Sequence, residues 1–226
     1  MANLRFPTLW RELICTYPTL LANIRFITQE AKLRLEKAGA IIYKDASANK
    51  GGVTSSSLEG SLVLLFLLIL VLASLSFNDA EFMEHMCVKN DVVPSFYNRY
   101  VENVQRIIEI NARLEFEAIW REHARTNKPR CVLSDEISLE IIKLDEELQK
   151  TGLWDNISLR KTIMQEALPE TLLEQLGLDT ILERVPVAYL KAIFGSFLAS
   201  RFIYLHGIGA SQFAFFDFMN RKLKLV

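Results

Sequence analysis

The chain has 226 residues, half of them apolar, with 26 Lys and Arg against 27 Asp and Glu and a formal net charge of -1. That size supports one large domain or two modest ones around a sizeable core, and the near-even charge excludes a global field toward nucleic acid or an anionic membrane. Cys15, Cys87 and Cys131 are odd in number and far apart, which fits reduced thiols inside a cell and neither a disulfide framework nor a paired-cysteine metal site. The three histidines are scattered and form no HExxH, so no metal site is expected. The stretch MANLRFPTLWRELICTYPTLL lacks a continuous apolar core ahead of a small-residue cleavage site, so a secretory signal is not expected.

In chain order, Ile24 to Ile27 is a short β-prone run, and Thr28 can cap a helix TQEAKLRLEKAG whose apolar stripe is Ala31, Leu35 and Ala38 and whose stop is Gly39. Ala40 to Asp45, AIIYKD, reads as a strand buried in a parallel sheet. Strand, helix and strand make a compact βαβ crossover. From residue 78 onward the pattern is helical. Phe96 to Thr126 predicts a long helix with Tyr97, Val101, Val104, Ile108, Ala112, Glu115 and Ile119 on its inner face, ended by NKP. Ser134 is expected to cap a second helix, with Asp135 and Glu136 in its first turn and Gly152 just past its end. Pro169, Gly177 and Pro186 punctuate the shorter helices that follow. The run from Pro186 to about His206 is apolar nearly all round, with Ala188, Ala192, Gly195, Ala199 and Ser200 near one stripe that lets another helix approach closely. Lys191 and Arg201 within it favour a buried helix over a membrane span. Trp120 and Trp154 are expected in the core, and the aromatic run Phe213 to Phe218 as a packing anchor of the last helix.

The stretch that carries chemistry is KDASANKGGVTSSSLE, Lys44 to Glu59. A loop at the C-terminal end of a parallel strand is where open α/β sheets bind ligands. Gly51 and Gly52 let a backbone come close to a flat ligand, and the hydroxyls and amides of the following helix N-terminus suit a carboxylate or phosphate.

This stretch, with the preceding TQEAKLRLEKAGAIIYKDAS, resembles the end of the NAD-binding domain of glutamate dehydrogenases, in particular the large NAD-specific type. The resemblance continues through LEIIKLDEELQKTGLWDNISLRK and LDTILERVPVAYLKAIFGSFLASRFIY. It implies an α/β remnant, the last βαβ of a Rossmann-like NAD-binding domain, followed by a mainly α-helical C-terminal segment. The implied division is an unmatched segment at 1–21, the end of the NAD-binding domain at 22–80 and helices at 81–226. It further implies that Asn49 and Asn23 lie beside the nicotinamide of NAD, with Gly51 and Gly52 in the same loop, and that Val53 and Ser56 line the pocket for the glutamate side chain. Two departures stand out. The family's EGAN is LLAN here, with one extra residue between Asn23 and Gln29, and no GxGxxG occurs in the chain. The lysine and aspartate that perform imine formation and proton transfer in the family belong to an upstream domain, so the chain reads as a C-terminal portion, inactive alone and with no catalytic residue of its own. The implied reactants are glutamate and 2-oxoglutarate, the implied assembly a homo-oligomer, and the expected compartment cytoplasmic, with mitochondrial as the alternative. A non-catalytic helical interaction or regulatory module derived from that family is the alternative function.

One segment departs from the pattern altogether. Between Leu58-Glu59 and Val71-Leu72-Ala73-Ser74-Leu75-Ser76-Phe77, which adjoin in the family, stands GSLVLLFLLIL, Gly60 to Leu70. As a membrane span the uncharged run to Phe77 sits at the lower limit of length and lacks flanking Lys or Arg. As a soluble insertion it would lengthen a helix by about 16 Å and expose a Leu-rich cylinder. A retained intron is the favoured reading, because removing the eleven residues restores the family pattern on both sides.

Overall fold

The computed structural model describes residues 28–42 and 71–223. Within them the chain is helical: α1 (Gln29–Lys37), α2 (Asp79–His85), α3 (Ser95–Thr126), α4 (Arg130–Gln149), a 3-10 turn (Gly152–Asp155), α5 (Ile157–Ala167), α6 (Glu170–Leu176), α7 (Leu178–Arg184), α8 (Val187–His206) and α9 (Gln212–Leu223). Residues 71–76 are also helical. Among the described residues there is no strand, and the one β-type pairing is the isolated bridge Lys89 to Val92. The expected strand Ala40 to Asp45 is therefore not seen over Ala40 to Ile42, which form no ladder. Its expected neighbour, Ile24 to Ile27, lies outside the described residues, and a strand is defined by the neighbour it pairs with.

Local chemistry explains the helix ends. Thr28 Oγ1 accepts from Ala31 N at 3.3 Å to start α1, and Asn78 with Glu81 forms a reciprocal capping box on α2. The long helix α3 follows Pro94 and stops at Asn127, whose φ of 56° is left-handed, just ahead of Pro129. Its inner face differs from the expected one by a fraction of a turn. Phe96, Tyr100, Asn103, Val104, Asn111, Glu115, Ala118, Ile119 and Glu122 are buried, while Tyr97 is 39% exposed. Two aromatic residues one turn apart both satisfy a helical period, and Tyr100 is the one that stacks on Phe96 and turns inward. Trp120 also faces out, 41% exposed, stacked on Phe116 and covered by the Arg130 guanidinium at 4.6 Å.

The core is organised about α8. From Ile193 to Tyr204 every residue except Arg201 is buried, and α3, α4, α5 and α9 all pack on this helix. It is long and apolar enough to cross a membrane, yet 67% of its most apolar window is buried inside the bundle. Its closest neighbour is α4. At Gly195 an added Cβ would lie 2.1 Å from Asp145 Oδ1 on α4, which also takes a hydrogen bond from Gln149 Nε2 at 3.2 Å, and Ser196 Oγ donates to Asp145 Oδ2 at 3.3 Å. Burial pushes the Asp145 carboxyl up, against the pull of those two donors. At the other end of α8 the buried Tyr204 hydroxyl donates to Glu115 Oε2 on α3 at 3.1 Å. Arg121 Nη2 donates to the Tyr204 carbonyl at 2.9 Å. Aromatic packing closes the far side. Phe218 and Phe215 pack against Phe202, whereas Phe213 and Phe216 of the same run point outward, 85% and 63% exposed.

Substituting Gly195→Val is expected to force Asp145 off both partners and to lower stability by about 1–3 kcal/mol. Urea unfolding of the two chains, with unchanged slope and a lower midpoint for the variant, checks it.

Candidate functional site

The described residues on either side of the chemistry-bearing stretch, 28–42 upstream and from Val71 downstream, both pack on the helical body. On its upstream side α1 leads through Gly39, at a φ of +94°, into Ala40 and the fully buried Ile42. Ala40 and Ile42 pack with Cys131, Leu33, Leu35 and Val132. The anchor is polar. Glu36 at the end of α1 accepts from the backbone N–H of Arg130 at 3.0 Å and of Cys131 at 3.2 Å, the first two residues of α4. Arg130 Nη1 stands 3.7 Å from the same carboxylate, whose side chain is 6% exposed. A helix N-terminus leaves its first N–H groups without intrahelical acceptors and carries partial positive charge, so a buried carboxylate there satisfies both needs.

This arrangement corrects the expected start of α4. Ser134 lies inside the helix and is buried, and the helix begins at Arg130 after Pro129, which offers no side-chain cap. The cap comes instead from Glu36, 94 residues earlier. Nothing local in the sequence marks Glu36 for this role, because the contact exists only once α1 and α4 meet. Burial, followed by the hydrogen bond and charge of Glu36, pushes the Cys131 thiol up to about 12.

On the downstream side the helical residues 71–76 bury Leu72, Ala73 and Ser76. Arg184 of α7 clamps the segment, donating through Nη1 to the Ser76 carbonyl at 3.0 Å and to Glu81 Oε2 at 2.6 Å. That pair, with the Asn78 N–H, holds the Glu81 carboxyl below its ordinary range.

The sequence-derived site residues Asn23, Asn49, Gly51, Gly52, Val53 and Ser56 lie outside the described residues, as does the segment Gly60 to Leu70. What the structure adds is the pair of anchors, Glu36 on α4 and residues 71–76 on α7, between which that stretch runs.

Residues 21–126, which include both anchors, match the family described as Glutamate/Leucine/Phenylalanine/Valine dehydrogenase. The chain is similar to the NAD-specific glutamate dehydrogenase of Neurospora crassa, 59% identical over 203 residues that make up 89% of this chain. It is 54% identical over 199 residues to glutamate dehydrogenase 2 of Dictyostelium discoideum, covering 88% of this chain. It is 50% identical over 206 residues, 91% of this chain, to the probable NAD-specific glutamate dehydrogenase of Schizosaccharomyces pombe. In each case the match takes in 18% of the relative's length. The resemblance to a portion of the NAD-specific glutamate dehydrogenases is thus borne out. No solved structure matches the chain.

Two measurements check the anchor. Glu36→Ala leaves two N–H groups of α4 without their acceptor and is expected to cost about 1–3 kcal/mol, read as a fall in the unfolding midpoint. In native alkylation with iodoacetamide at pH 8, Cys131 should stay protonated and unmodified while the half-buried Cys87 reacts; peptide mass spectrometry distinguishes the two.

Proposed function

We propose that this chain is the C-terminal portion of an NAD-dependent glutamate dehydrogenase, contributing one wall of the nicotinamide and glutamate site together with the helical body that supports it. The observation that carries the reading is the 59% identity across nearly the whole chain. It is supported by the NxGGV loop followed by serines at Asn49 to Ser57. The last strand, helix and strand of a Rossmann-like domain would then run from Ile24 to Asp45, with α1 as the crossover.

When bound, NAD supplies the hydride acceptor that takes hydride from glutamate on the way to 2-oxoglutarate and ammonium. The chain's own residues would bind and orient. Asn49 and Asn23 would sit beside the nicotinamide, and Gly51 with Gly52 would leave room for the backbone to approach it. Ser56, at a helix N-terminus, would donate to the distal carboxylate of glutamate, and Val53 would line the apolar part of its side chain. The family's proton-transferring lysine and aspartate have no counterpart assigned here. Phe213 and Phe216, exposed together on α9, suit a contact between subunits of a homo-oligomer.

The test is a chimera in which residues 22–226, with and without Gly60 to Leu70, replace the matching segment of the Neurospora crassa relative. Glutamate-dependent NADH formation is expected from the version lacking the eleven residues, and Ser56→Ala in it should raise KM for glutamate about ten- to a hundredfold, the worth of one charge-assisted hydrogen bond. The 226-residue chain alone should form no NADH. Turnover by that chain, or an inactive chimera, would sink the reading.

A further inference from the structure

The buried run of α8 from Ile193 to Tyr204 contains one charged side chain, Arg201. Arg201 is the partly exposed member of an otherwise buried run, and its guanidinium carbon stands 5.0 Å from the centroid of the Phe197 ring. Its Nη1 is enclosed and has no acceptor among the described residues. Glu166, the carboxylate whose charge it feels, is engaged by Lys222. Burial weighs against the charge on Arg201, and an enclosed N–H without an acceptor is costly to a fold.

A second orphan lies close by. Asn111 of α3 is 2% exposed, and its Nδ2 likewise lacks an acceptor among the described residues. Arg201 and Asn111 both line one cavity of about 640 Å³ between α3, the α5–α6 junction and α8. Each carboxylate at this cavity is engaged by another cation: Glu170 by Arg106 at 3.1 Å, Glu174 by Arg99 at 3.6 Å and Glu166 by Lys222. Neither orphan nitrogen is reached by any of them. Ile107, Leu168, Leu173 and Phe197 supply apolar wall to the same space. The volume falls within the range of small-molecule sites, which combine an apolar lining with a few polar groups that fix orientation.

We propose that this cavity binds a small organic anion, a carboxylate or phosphate joined to an apolar body, with Arg201 and Asn111 donating to the oxyanion and Phe197 flanking the body. The two nitrogens sit behind the cavity wall, so a rotamer change of the long Arg201 side chain accompanies loading. A guanidinium and an amide together present several N–H donors in fixed directions, which matches the oxygens of either anion. The inference stands on the helical body alone and is independent of the function assigned to the loop at Asn49.

The experiment uses the 226-residue chain with phenyl phosphate and benzoate as probes and benzyl alcohol as the uncharged control, at constant ionic strength. Calorimetric titration should give a saturable single-site isotherm for at least one of the anions and none for benzyl alcohol. Arg201→Met should weaken that binding about tenfold or more, the worth of one charge-assisted contact, while raising the melting temperature of the unliganded chain, because the enclosed N–H without an acceptor is gone. Asn111→Leu provides a second variant with the same expected loss of binding, and Lys191→Met, on the exposed side of the same helix, should bind as the parent does. Absence of a saturable isotherm with both anions overturns the proposal. So does binding that persists undiminished in both Arg201→Met and Asn111→Leu.

Discussion

From Ile193 to Tyr204 α8 is apolar and buried on nearly every side, and that run imposes on the helical body the need to cover it. The bundle is arranged as its wrapping: α4 along the small-residue stripe, α3 at the Tyr204 end, α5 beside it and α9 over Phe202. The close approach of α4 rests on an absent side chain. Gly195 brings Asp145 in, and Ser196 then gives that carboxylate a partner, so tight packing and polar satisfaction are solved at adjacent positions. At the opposite end Gly207, at a φ of +85°, admits the buried Glu122, whose Oε1 would be 2.3 Å from an added Cβ.

The same body carries the loop of interest. α1 and the residues after it contribute little core of their own, and their position is set by burying Ile42 against Cys131 and by the carboxylate of Glu36 at the start of α4. Arg184 plays the matching part downstream by reaching from α7 to the Ser76 carbonyl. The positions of both flanks are therefore set by helices far along the chain.

Much of the helical organisation was legible in the residues themselves. The end of α3 followed from the Asn-Lys-Pro stop, and Gly195 in the small stripe of α8 pointed correctly to a close partner. The misreadings share one cause. Tyr97 against Tyr100, Trp120 as core and Ser134 as a cap are all local inferences decided by tertiary contacts: Phe96 stacking on Tyr100, Arg130 covering an outward-facing Trp120, Glu36 taking the cap from another helix. The βαβ reading and the roles of Asn23, Asn49, Gly51, Gly52, Val53 and Ser56 rest on motif and resemblance, since of that region the structure describes only residues 28–42.

The cap supplied by Glu36 also bears on how the chain assembles during synthesis. Residues of α1 leave the ribosome well before Arg130 and Cys131, and until those two amides exist the carboxylate has no reason to be buried. A short helix with an exposed terminus is marginal by itself, so α1 and the residues that follow it acquire their native setting late. The docking of α1 must wait for the start of α4, against the vectorial order in which domains generally fold as they emerge.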